Sequence, residues 1–168
     1  MTISMYQASV PVFVRMLKNL SAILQKAADY AAFKKIEPVV LINARLAPDM
    51  FAFVRQIQIA TDGVKGCAAR LAGVEVPSYA DNETTFEELQ ARIAKTITFL
   101  EEFKPAQIDG TEEKALELKV GGREMKFAGQ AYLLNFVLPN LYFHITTAYG
   151  ILRHNGLEIG KKDYLGNA

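Results

Sequence analysis

Histidine is the residue type best suited to acid–base or metal chemistry, and this chain contains only two, His144 and His154. His144 shares a stripe with apolar residues spaced alternately by four and three, namely Val137, Leu141, Ala148 and Ile151. Such spacing turns a side chain into the interior of a helical bundle. A buried imidazole needs a hydrogen-bond partner. Gln58 and Asp62, four residues apart on another predicted helix, are the expected partners.

This predicted cluster has a functional and a structural interpretation. A carboxylate next to a histidine either shares a metal ion with it or orients the imidazole for acid–base catalysis. The same groups can also form a hydrogen-bonded network that only fixes helix packing, which is the commoner role of buried polar residues. For a metal centre the candidate ligands are His144, Asp62 and His154. The two histidines are ten residues apart, or about 15 Å along a straight helix, too far for one ion.

Further polar residues near the cluster complete the candidate site. Tyr149 and Arg153, four residues apart, could form a polar rim over it. Arg153 also lies in the last turn of its helix, where the helix dipole favours cations, so capping is the alternative role. Arg45 could pair with Asp49 or with an anionic ligand. The candidate ligand-binding residues are therefore His144, Gln58, Asp62, Tyr149 and Arg153.

Composition excludes several classes of protein and partner. Nineteen Lys and Arg residues against eighteen Asp and Glu residues give a net charge of +1, so neither nucleic acid nor a membrane is expected as a partner. The single Cys67 excludes an internal disulfide and multi-cysteine metal sites, and it suits a cytoplasmic location. A homodimer is expected, because a hydrophobic fraction of 51% with ten phenylalanines exceeds what one small bundle readily hides.

Hydrophobic periodicity predicts four helices in one domain covering residues 1–168. Helix one begins near residue 5, helix two runs from Pro48 to Gly73, helix three from the Thr85 capping box to Lys104, and helix four from Gly129 to His154. Pro139 must kink or restart helix four because it lacks an N–H group. Residues 38–47 form a packed connector, and the tail after Asn155-Gly156 folds back across the bundle.

A β-hairpin is predicted between helices three and four. Apolar residues alternate with charged ones on both sides of Gly121-Gly122. A two-residue turn there pairs Leu118 with Met125 and puts oppositely charged side chains across from each other on the other face. The fold class is therefore all-α, a four-helix bundle with an inserted two-stranded hairpin.

Several local motifs can be compared with known families. They are the helix start Arg45-Leu-Ala-Pro-Asp-Met50 and, near the end of the chain, Phe143-His144, Thr147-Ala-Tyr149, Arg153-His-Asn-Gly156, Ile159-Gly-Lys161 and Asp163-Tyr-Leu-Gly166. Together they resemble an uncharacterised domain-of-unknown-function family of the DinB/YfiT-like superfamily. The resemblance covers the whole chain and implies a DinB-like four-helix bundle, often dimeric. In that superfamily one histidine of the second helix and a His-x-x-x-His pair of the fourth typically hold a metal for thiol transfer or hydrolysis.

The chain departs from that metal-binding pattern. Its predicted second helix contains no histidine, and if His154 matches the second histidine of the pair, the first position is Gly150. Two functions follow. The first is a non-catalytic bundle without a cofactor that binds a small ligand or a partner through the buried cluster. The second is an atypical hydrolase or thiol transferase that uses a divalent metal such as zinc or nickel, held by His144 with Asp62 or Gln58.

Overall fold

The computed structural model describes residues 2–166, except for the side chain of Val120. The helices and strands, in chain order, are α1 Met5–Ala8, α2 Val10–Lys34, α3 Pro38–Ile42, α4 Phe53–Ala72, α5 Phe86–Glu101, α6 Pro105–Ile108, β1 Ala115–Val120, β2 Arg123–Ala128, α7 Gly129–Tyr132, a π-helical turn Leu133–Val137, α8 Leu138–His154 and α9 Lys161–Leu165. Within this part of the chain, none of the helices combines the length and apolar character needed to cross a bilayer.

Four long helical segments form the bundle: α2, α4, α5 and the segment that runs from α7 to α8. Helix α2 packs against α5, while α4 packs against both α5 and α8. The apolar stripes predicted from the sequence supply much of the core, including Phe13, Leu17, Leu24, Ile57, Val64, Leu89, Ile93 and Leu141. Burying each such side chain stabilises the fold by about 1.5–3 kcal/mol. The predicted all-α bundle is confirmed.

The start of the second long helix differs from the prediction. Pro48 was expected at its first position, but α4 begins at Phe53 with Ala52 as its N-cap. Pro48 instead follows Ala47 in a tight turn that the Met50 amide closes by donating to the Ala47 carbonyl at 3.0 Å. Proline suits the second position of such a turn as well as it suits a helix start. The end of α4 at Gly73, in a left-handed conformation, agrees with the prediction.

The hairpin has the predicted register. Leu118 pairs with Met125, Leu116 with Phe127, Glu117 with Lys126 and Lys119 with Glu124. Gly121 and Gly122 both have positive φ, as a two-residue turn of this kind requires. Leu116 is buried, and the Phe127 ring lies 5.6 Å from that of Tyr132 on α7. The apolar face of the hairpin therefore packs against the beginning of the last long helix.

The last long helix accommodates Pro139 through a π-helical turn. That turn, Leu133–Val137, directly precedes α8, in which Pro139 occupies the first turn. At the beginning of this segment Gly129 is required, since a Cβ atom there would overlap the Thr111 carbonyl oxygen. After Gly156 the chain turns back, and α9 packs on α2 with an ion pair between Lys26 and Asp163. The predicted return of the tail is confirmed.

Candidate functional site

His144 lies in the middle of α8, where α8 packs against α4. Only 7% of the residue is exposed, as the stripe of apolar residues predicted. Its Nδ1 atom lies 2.7 Å from Oε1 of Gln56. The expected partners, Gln58 and Asp62, make their hydrogen bonds elsewhere. The predicted partner set of His144 is therefore wrong, and Gln56 takes its place.

Helix geometry explains this correction. Gln58 follows Gln56 by two residues, which rotates its side chain by about 200° around the α4 axis. Gln56 faces α8, whereas Gln58 and Asp62 face the α5 side, where they contact Glu83 and Arg92. The sequence places polar residues on both flanks of the α4 stripe. The bundle arrangement, which the sequence pattern leaves open, decides which flank meets His144.

The Gln56 side chain fixes the tautomer of His144. The Nε2 group of Gln56 donates to the Phe51 carbonyl oxygen at 2.9 Å, so its Oε1 atom is left to face the imidazole. Oε1 can only accept, and His144 must therefore donate from Nδ1. The Nε2 atom of the neutral ring is then an acceptor, and within residues 2–166 no protein group donates to it.

Burial keeps His144 uncharged at neutral pH. Loss of hydration, together with the nearby positive charge of Arg55, lowers the pKa of His144 from 6.5 to about 4. Gln56 is a neutral partner and brings no charge to offset this effect. His144 is therefore a neutral hydrogen-bonding group over the whole physiological range.

Two residues with exposed aromatic side chains contact the His144–Gln56 pair, Phe143 through its ring and Phe51 through its backbone. The ring of Phe143, which is 56% exposed, stands perpendicular to the imidazole at a centroid distance of 5.2 Å. Phe51, which is 60% exposed, is attached to the pair through its carbonyl oxygen. The Phe143 ring therefore places an exposed apolar group beside the imidazole.

The other two members of the predicted cluster belong to a separate ionic network centred on Arg92. The Arg92 side chain is 2% exposed. It donates to Asp62 at 2.9 Å, to Glu83 at 2.8 Å and to the hydroxyl oxygen of Thr61 at 2.8 Å. Burial disfavours its charge, but the hydrogen bond to Glu83 and the carboxylates around it leave the pKa of Arg92 raised. Gln58 donates to Glu83 at 2.9 Å and so joins the same network.

The residues do not fit the metal centre that the resemblance implies. Across residues 2–166 no three His, Cys, Asp or Glu side chains are grouped closely enough to hold an ion. The candidate ligands His144, Asp62 and His154 are not brought together, because Asp62 is bound to Arg92 and Lys65 and His154 is exposed at the end of α8. On α4 the side chain that meets His144 is an amide, which is a much poorer ligand than an imidazole.

Tyr149 and Arg153 do not form a rim over His144. The Tyr149 hydroxyl donates to the Ile159 carbonyl oxygen at 3.3 Å, and Arg153 donates to the Leu157 carbonyl oxygen at 3.3 Å. Both side chains thus contact the returning tail, and the hydrogen bond of Arg153 goes to that tail rather than to a carbonyl group at the end of α8. Arg45 donates to the Pro48 carbonyl oxygen rather than pairing with Asp49.

The sequence contains a signal for both residues that the prediction missed. Gln56 lies three residues after Phe53 and four before Ala60, so it continues the apolar stripe of α4. Arg92 occupies the same kind of position between Leu89 and Thr96 on α5. A polar residue within an apolar stripe is a candidate for a buried, partnered group.

The bundle of four long helices, with a hairpin before the last of them, defines a DinB-like four-helix-bundle protein. A crystal structure of a DinB family member protein from Shewanella denitrificans is similar to it, with 46% sequence identity and a TM-score of 0.87 over 97% of this chain and 92% of that chain. The chain belongs to the family described as Domain of unknown function (DUF1993), whose sequence model matches residues 5–165. Among curated proteins, none matches.

Proposed function

We propose that this protein is a non-catalytic binding protein that recognises its ligand at His144. The ligand is a small molecule or a partner group with an N–H or O–H donor on an apolar body. The main support for this proposal is the hydrogen bond between Gln56 and His144. It keeps the proton of the neutral imidazole on Nδ1, so the free lone pair is on Nε2. Of the cluster predicted from the sequence, the proposal keeps His144. Gln56 replaces Gln58 and Asp62 as its partner.

The chemistry of the surroundings supports a donor on an apolar body. A neutral imidazole with a bonded Nδ1–H accepts at Nε2 and offers no charge to an ion. The exposed rings of Phe143 and Phe51 favour contact with an aromatic or aliphatic group. A ligand that lacks the donor would leave Nε2 without a partner when it excludes water, which costs about 1–3 kcal/mol.

Phenol and anisole test this proposal as a matched pair, since they share an aromatic body and differ in the donor. We expect phenol to shift the His144 side-chain NMR signals and anisole to bind more weakly. His144→Asn retains a donor toward Gln56 but lacks an atom equivalent to Nε2, so it should abolish the preference for phenol. His154→Asn is the control. Equal binding of phenol and anisole, or a preference that survives in His144→Asn, would contradict the proposal.

Metal analysis tests the alternative of a metal-dependent hydrolase or thiol transferase. Protein purified without chelator should contain no stoichiometric zinc, nickel or manganese. A stoichiometric metal that is lost in His144→Ala and retained in His154→Ala would replace the binding proposal by the metal-dependent one.

We also propose that the protein forms a homodimer. Phe33, Val39 and Val40, around the end of α2 and in α3, are more than half exposed, and exposed apolar side chains of this kind are typical of interfaces. Sedimentation equilibrium should give twice the chain mass of 18.6 kDa. The double variant Phe33→Ser/Val40→Ser should weaken the dimer. A wild-type protein that is monomeric at micromolar concentration would contradict this proposal.

A further inference from the structure

Two carboxylates of the α4–α5 loop, residues 73–85, attach it to the bundle, together with the Ala80 carbonyl oxygen, which accepts from Arg92 at 3.0 Å. Asp81 accepts from Arg55 and Arg92. Glu83 accepts from Arg92 at 2.8 Å and from Gln58 at 2.9 Å. These two acidic side chains therefore occupy the donors that α4 and α5 present to the loop.

The helices themselves carry an excess of positive charge at this place. Lys65 and Arg92 both donate to one helical carboxylate, Asp62, whereas Arg55 donates to Gln58 on the same helix. The side chains of Lys65 and Arg92 are 4% and 2% exposed. Asp62 alone is shared by two buried cations, and a buried charge that lacks a full counterion is unfavourable, so further anionic groups stabilise the site. Asp81 and Glu83 bring the charges of the cluster to balance.

Tyr79 of the same loop is held between basic groups next to a cavity. Nζ of Lys65 lies 3.6 Å from the centroid of its ring, and Nζ of Lys95 lies 4.3 Å from it. The Tyr79 hydroxyl is buried beside Thr96, yet it has no hydrogen bond of good geometry to any group in the described residues. A cavity of about 310 Å³ opens beside Tyr79, Arg92 and Lys95. This volume is at the lower end of the range for small-molecule sites, which begins at about 300 Å³.

We propose that Arg55 and Arg92, together with the side-chain amide of Gln58, form a binding site for a small dicarboxylate. In the free protein, the side-chain carboxylates of Asp81 and Glu83 occupy the positions of the two ligand carboxylates. When the ligand binds, it displaces these side chains together with the α4–α5 loop. A dicarboxylate is favoured over phosphate because the site already accommodates two separate carboxylates, one shared by Arg55 and Arg92 and the other shared by Arg92 and Gln58. This site is formed by side chains of α4 and α5, whereas His144 lies where α8 packs against α4.

Titration calorimetry with glutarate tests whether Asp81 and Glu83 occupy the site of a dicarboxylate ligand. In Asp81→Asn/Glu83→Gln the internal competitor is removed, so glutarate should bind roughly tenfold or more tightly than to the wild type, since the apparent affinity is the intrinsic affinity multiplied by the fraction of protein that is competent to bind. The control Glu75→Gln/Glu113→Gln changes the net charge equally at two exposed acids outside the cluster. No gain in Asp81→Asn/Glu83→Gln, or an equal gain in the control, would overturn the proposal.

Two further measurements locate the site and test the loop displacement. Adding Arg55→Gln to the Asp81→Asn/Glu83→Gln background should weaken glutarate binding severalfold, whereas Arg123→Gln on the exposed hairpin should leave it unchanged. Arg55 is about 40% exposed, so its replacement should not prevent folding. In the wild type, glutarate should accelerate chymotrypsin cleavage after Tyr79. Unchanged cleavage, unchanged affinity in the Arg55→Gln background, or phosphate binding as tight as that of glutarate would each overturn the proposal.

Discussion

The low pKa of His144 makes the stability of the folded protein depend on pH. In the unfolded chain His144 titrates near 6.5, whereas in the folded protein its pKa is about 4. The unfolded state therefore binds a proton at a pH where the folded state does not. His144 contributes its full share of stability above pH 6.5, and this share is lost as the pH falls toward 4.

The size of this effect follows from the two pKa values. One pKa unit corresponds to about 1.4 kcal/mol, so lowering the pH from 7.5 to 4.5 should remove about 2–3 kcal/mol of unfolding free energy through His144 alone. His144→Asn keeps a donor toward Gln56 but cannot titrate. The difference in unfolding free energy between wild type and His144→Asn should therefore shrink or change sign by this amount over that pH interval.

Urea unfolding at a series of pH values measures this difference, because acidic residues common to both proteins cancel in the comparison. His154→Asn is the matched control, since His154 is exposed at the end of α8, and its difference from wild type should stay nearly constant. A difference between wild type and His144→Asn that does not change between pH 7.5 and 4.5 would refute the buried, neutral imidazole.

Three substitutions test the packing and the polar networks. Gln56→Leu should destabilise the fold by about 1–3 kcal/mol, because His144 loses its acceptor; exposed Gln130→Leu is the control, and equal effects in urea unfolding would contradict the assignment. Arg92→Met should cost roughly 2–4 kcal/mol by leaving its carboxylates without their counterion, whereas Arg123→Met on the hairpin should be nearly neutral. Gly129→Ala should lower the thermal midpoint by several degrees, since its methyl group would overlap a backbone carbonyl oxygen; an unchanged midpoint would be inconsistent with that close approach.

Local structure could be predicted from the sequence where neighbouring residues determine it. The hairpin register depends on a two-residue glycine turn and on charges that pair across it, and both are local features. The Thr85 capping box was also confirmed, with its hydroxyl accepting from the Glu88 amide. Pro48 was ambiguous, because a proline fits both a turn and a helix start. In the structure the Phe53 amide donates to the Ala44 carbonyl oxygen, nine residues earlier, and the Pro48 turn lies between these two residues. This hydrogen bond is not a feature of neighbouring residues.

The candidate site was only partly predictable because its contacts depend on how the helices are arranged. Burial of His144 followed from its own helix and was correct. Its partner lies on α4, and the choice between Gln56 and Gln58 depends on which side of α4 faces α8. The Arg92 network was missed because a loop supplies Asp81 and Glu83, and the sequence pattern did not indicate how that loop folds back over α5.

A long-range ¹H–¹⁵N NMR spectrum of the histidine rings at pH 6 measures the protonation state of His144 itself. The spectrum identifies which ring nitrogen of His144 carries the proton, and His154→Asn leaves His144 as the only histidine and so assigns the signals. We expect a neutral ring with the proton on Nδ1 and an unprotonated Nε2 that can accept from a ligand. A charged ring at this pH, or a neutral ring protonated at Nε2, would contradict it.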